Sequence, residues 1–100
     1  MRLDDVVARL KKAEPALRAS GVRALYLFGS HARDVASEDS DVDVFVDPQA
    51  DEDFGFLDYM KAYNAIVDAV GPKVEVGYST REGLSPYVRD NVEREATRIF

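Results

Sequence analysis

The chain has no cysteine. That excludes a disulfide framework, thiolate-bound zinc and a cysteine nucleophile. Long apolar runs are missing too, so no segment reads as a bilayer span. The opening MRLDDVVARL is amphipathic rather than a basic stretch leading into an apolar one, and no secretory signal is expected. Basic charge is in short supply: 13 Lys and Arg stand against 19 Asp and Glu, a net charge of −6. The cations are scattered among acids with no basic stripe, which excludes an extended DNA or RNA footprint. A small anionic ligand remains compatible if a divalent metal accompanies it. Internal repeats and low-complexity segments are also absent.

What remains fits a folded domain. One hundred residues, 46% hydrophobic and 32% charged, suit a single domain over 1–100 and a cytoplasmic location. Leu3, Val6, Val7, Leu10, Ala13 and Leu17 recur at helical spacing, with Pro15 predicted to kink or break the helix and Gly21 to stop it. Val22 to Phe28 reads as a buried strand. Gly29-Ser30 ends it, with Ser30 expected to cap a short helix over His31 to Val35. Asp41 to Val46 alternates as a strand, stopped by Asp47-Pro48. Phe56, Met60, Tyr63, Val67 and Val70 mark a long helix terminated by Gly71-Pro72. Lys73 to Tyr78 reads as a third strand. Ser85-Pro86 opens a closing helix to Phe100, its buried stripe Val88, Val92, Ala96 and Ile99. The order is α-β-α-β-α-β-α, an α+β chain with one sheet covered by helices.

Asp41 and Asp43 are the most informative pair. Two apart in a strand, they point to one face with Phe45, while Val42, Val44 and Val46 point into the core. Aspartate is poor in strands and like charges repel, so the pair calls for a compensating divalent cation. Glu75, between Val74 and Val76, places another acid on the face opposite two valines. If the second and third strands are adjacent, three carboxylates meet. Gly29-Ser30 adds a phosphate cradle, with free backbone N–H groups at a helix start and close approach permitted by Gly. Arg33 lies one turn on, within reach of a phosphate oxygen. His31 is read as a helix-surface residue, and Asp47, Asp51, Glu52 and Asp53 as a solvated acidic loop.

Gly29-Ser30-His31-Ala32-Arg33, a short spacer and Ser40-Asp41-Val42-Asp43-Val44 together resemble the signature of the DNA polymerase beta-like nucleotidyltransferases. The chain most resembles their minimal prokaryotic members, with Tyr26-Leu27-Phe28 preceding the Gly-Ser. The resemblance implies a nucleotidyltransferase fold with a mixed sheet covered by helices. It implies two Mg2+ ions on Asp41, Asp43 and Glu75, with ATP as nucleotide donor. Gly29, Ser30, Arg33 and Ser40 would form the nucleotide-binding set. Two positions depart from the pattern: Asp34 replaces the usual Gly, and Glu75 stands where Asp is more usual. The minimal members are commonly found with a small helical partner of the HEPN type, which they silence as antitoxins by adenylylation. The resemblance thus implies AMP transfer to a protein acceptor within a hetero-oligomer. The alternatives are a catalytically weak or inactive nucleotide-binding module that neutralises or scaffolds a partner by direct binding, and a regulatory nucleotide-binding domain.

Overall fold

The computed structural model describes residues 2–33 and 41–100. Pro15 has the effect its chemistry demands: lacking an N–H and clashing with the preceding turn, it cannot sit inside a continuous helix. Helix α1 (Leu3–Lys12) therefore ends, and α2 (Glu14–Ala19) begins afresh with Pro15 in its first turn. Val6, Leu10 and Leu17 are fully buried along their shared face. Gly21, at φ 93°, then turns the chain into β1 (Val22–Phe28).

The short helix α3 (Gly29–Ala32) follows β1 directly, and β2 (Val42–Pro48) runs back antiparallel to it. After a 3-10 turn at Asp51–Asp53, α4 (Phe56–Val70) crosses over to β3 (Val76–Thr80), which lies parallel to β2. Helix α5 (Pro86–Glu95) leads into β4 (Thr97–Arg98), antiparallel to the free side of β1. The strand order is β3-β2-β1-β4.

Alternation sorts the two faces of this mixed sheet. Val42, Val44 and Val46 join Leu25, Leu27, Leu17 and Ile66 in the main core beneath the helices. The opposite face carries a smaller core in which Phe45 is fully buried with Leu84 and Val92. Each such burial is worth about 1.5–3 kcal/mol. Tyr26 stacks on Phe45 at 4.7 Å between ring centroids. At the sheet margin Tyr59 and Tyr78 bond reciprocally: each hydroxyl donates to the other's carbonyl, at 3.3 and 3.0 Å. Among the described residues no helix is long and apolar enough to cross a membrane.

Several boundaries differ from expectation. The helix α3 starts at Gly29 with no side-chain cap, so Ser30 lies inside it. The third strand begins at Val76 rather than Lys73, because Val74 closes a turn onto Gly71. The closing helix stops at Glu95. Its last residues instead become β4, with the Ile99 N–H donating to Leu25 O (2.8 Å) and the Leu25 N–H to Phe100 O (3.2 Å). The spacing of Ala96 and Ile99 suits a helix equally well, but β1 had an open edge whose backbone groups required partners. Asp47 is not part of a solvated loop. It extends β2 and is buried, taking a two-pronged hydrogen bond from Arg81 (2.9 Å on each oxygen).

Candidate nucleotidyl-transfer site

Phe28, the last residue of β1, pairs with Asp43 in β2. The chain then breaks away at Gly29, whose φ of 76° is a left-handed conformation that favours glycine. A Cβ at Gly29 would lie 2.5 Å from Asp43 Oδ2, so only a glycine backbone can pass the carboxylate this closely. On its other side Asp43 pairs with Gly77 of β3, where an added Cβ would collide with Oδ1.

Asp41 is exposed at the mouth of the strand and Asp43 is half-buried behind it. Burial pushes the Asp43 carboxyl above its ordinary value, and the Asp41 charge pushes the same way. His31 and Arg33 oppose that shift without cancelling it. Among the described residues neither aspartate has an ion-pair partner. Two hard carboxylates beside each other, one partly desolvated and unneutralised, make a donor set that suits a divalent cation.

His31 is buried rather than on the helix surface. Its Nδ1 lies 3.0 Å from Asp41 O. A carbonyl can only accept, so Nδ1 carries the proton and donates. Nε2 is buried and without a hydrogen-bond partner. Through this ring the Gly-Ser helix is tied to the backbone of the first aspartate. The sequence signal for it was thin, because the inward face of a four-residue helix depends on where the helix starts.

Arg33 is exposed and engaged with Glu95 of α5 at 2.9 Å, beside the aspartates but not free of a partner. Glu75 precedes β3; its carbonyl accepts from the Val42 N–H (2.9 Å), which brings its backbone alongside Asp41. Its exposed side chain does not complete a metal cage: among the described residues no group of three His, Cys, Asp or Glu could hold an ion. Ser40 and Asp34 lie outside the described residues.

The largest cleft described, about 840 Å3, lies at the other end of this sheet face and is lined by Arg23, Tyr26, Asp47 and Arg81. Its buried charges already neutralise one another through the Arg81–Asp47 pair. Among the described residues Asp41 and Asp43 are carboxylates of this face without an ion-pair partner, which makes them the candidate site.

Known proteins resemble this chain over almost its whole length. The nucleotidyltransferase domain family matches residues 8–99. Two proteins of Methanocaldococcus jannaschii, each named "putative protein adenylyltransferase", are similar over nearly full length. One is 29% identical across 90% of this chain and 92% of its own, the other 28% identical across 97% of both. A solved "putative minimal nucleotidyltransferase" superimposes with a TM-score of 0.80 at 33% identity, covering 97% of this chain and 95% of its own. A toxin-antitoxin crystal structure with AMP-PNP shares the fold at a TM-score of 0.68 and 17% identity, over 92% of this chain and 72% of that one. With a family match across almost its whole length and paired aspartates beside a glycine-bounded turn, the chain belongs to the nucleotidyltransferase domain family and is an enzyme of that class.

Proposed function

We propose that the chain, acting as one domain over 1–100, transfers AMP from ATP to a hydroxyl of a protein acceptor, with release of pyrophosphate and the hydroxyl proton. In this reading it is the cytoplasmic antitoxin of a pair whose other member is a small helical HEPN-type protein. Asp41 and Asp43 would hold two Mg2+ ions, with Glu75 as third carboxylate. The observation that carries the reading is the unneutralised Asp41–Asp43 pair set against Gly29. The relatives named as protein adenylyltransferases support a protein acceptor. The neighbour crystallised as a toxin-antitoxin with AMP-PNP supports the partner and the adenine nucleotide.

Two bound divalent ions would stabilise the entering and leaving oxygens of an in-line displacement at the α-phosphate. The protein's own part is positioning. Gly29 brings backbone close to the carboxylates, and Ser30 offers a hydroxyl and an N–H to phosphate oxygens. Arg33 supplies positive charge beside the site while Glu95 orients it. His31 holds the Asp41 backbone in register with this turn. Glu75 has its backbone beside Asp41, and its side chain is in no ion pair among the described residues.

The test is transfer of label from α-labelled ATP with Mg2+ in extract containing the native partners, comparing wild type with Asp43→Asn. Label on one protein band with wild type alone is the expected result. Absence of transfer from any of the four nucleotides, with folded protein, would overturn catalysis. The engagement of Arg33 by Glu95 and the position of Glu75 outside any three-acid group of the described residues favour a second reading, a nucleotide-binding module that acts by binding its partner. Under that reading Asp43→Asn leaves partner neutralisation intact.

A further inference from the structure

Glycine inside a strand is costly: it adds backbone entropy to the unfolded state and has no side chain to pack. Gly77 is the second residue of β3 and lies in register with Asp43. No turn explains it, because its φ is not among the positive-φ glycines Gly21, Gly29 and Gly71. Space explains it. A Cβ there would stand closer to Asp43 Oδ1 than real Cβ atoms come to a neighbour, and 3.5 Å from Cγ. Gly29 imposes the same condition from the turn that follows β1, with Oδ2 at 2.5 Å from its own notional Cβ. Each carboxylate oxygen therefore occupies space that a side chain would need, one at Gly77 of β3 and one at Gly29 just past the end of β1.

We infer that Gly77 is a positioning residue for Asp43: by lacking a side chain it leaves the notch that fixes the carboxylate's orientation for metal binding. The two glycines constrain different oxygens, so filling either notch must turn the Asp43 side chain about χ1 or χ2. A rotated carboxylate no longer presents its oxygens in line with Asp41, and sites of this kind tolerate displacement of roughly 0.5 Å. An ordinary strand glycine would behave in the opposite way. At such a position Ala improves strand formation and reduces unfolded-state entropy, so Gly→Ala stabilises.

This inference rests on the metal-binding reading above, and its test separates the two. Mn2+ alone is the probe, titrated by electron paramagnetic resonance into wild type, Gly77→Ala and Gly55→Ala, alongside thermal melts without metal. Gly55 is the control because a Cβ there meets nothing within 4 Å. Gly77→Ala is expected to weaken Mn2+ binding at least about tenfold, while Gly55→Ala leaves it within twofold. Mn2+ binding by Gly77→Ala within twofold of wild type would overturn the inference. A wild type that binds no Mn2+ would instead sink the metal reading. Melts in the Asp43→Ala background then decide the notch by themselves. With the carboxylate removed, Gly77→Ala should raise Tm, whereas in the presence of Asp43 it should lower Tm or leave it unchanged. Equal Tm changes in both backgrounds would show that the two residues do not meet and would end the proposal.

Discussion

Asp43 is held where its charge is least welcome, between two strand neighbours and next to Asp41. Its folded carboxyl binds a proton more tightly than in the unfolded chain, where aspartate titrates at about 4. Between those two values the native state carries more protons than the unfolded one, so stability falls as pH rises through the window. Asp43→Asn removes that liability. In chelator the variant is expected to melt above wild type at pH 7, with the gap closing towards pH 3. Thermal melts across that range check it, and a variant that melts below wild type throughout would contradict the direction. Gains of this kind follow when a functional charge is removed from a site that tolerates it for activity.

At the scale of elements, the closing segment shows what periodicity conveys and what it does not. Val92 faces the second core as its helical spacing requires, and Pro15 and Gly21 punctuate the chain where their backbone chemistry demands. Val42, Val44 and Val46 face the core as their alternation implies. The burial of Ile99 is legible in its spacing but its backbone bond to Leu25 is not, because Leu25 lies far back in the sequence and spacing says nothing of distant backbone groups. The burial of Asp47 is hidden for the same reason: nothing local to Asp47-Pro48 announces Arg81. Of the candidate site, Asp41, Asp43 and Gly29 could be read from local pattern. His31 and Gly77 could not, because their roles come from contacts across strands. Ile99 ties β4 to the main core. Ile99→Ala is therefore expected to cost about 2–5 kcal/mol in urea unfolding. If Ile99 sat on a frayed helix end, the loss would be under about 0.5 kcal/mol.

For the whole molecule, net charge and metal act together. A chain of net charge −6 attracts divalent cations in general and loses that diffuse attraction as salt rises. A specific site behaves differently. A ligand bound only by the native state stabilises by about 2.7 kcal/mol at one hundred times its Kd. For a domain of this size that corresponds to a Tm rise of about 10–20 °C. Mn2+ should therefore raise the wild-type Tm in proportion to the logarithm of its concentration above Kd, even at about physiological ionic strength, and fail to do so in Asp43→Asn. Equal shifts in both proteins would mean that only diffuse charge is being screened.

The Tyr59–Tyr78 contact has a consequence for solubility in a crowded cell. β3 is the outer strand on its side of the sheet. Glu75 turns its carbonyl towards β2, so alternation turns the Tyr78 carbonyl outward, where an incoming strand from another molecule would dock. The Tyr59 hydroxyl already occupies that acceptor. Any chain seeking to extend the sheet beyond β3 must first evict a ring packed 4.6 Å from its partner. The hydrogen bond thus guards this edge against templated polymerisation without a charged or proline residue on that strand.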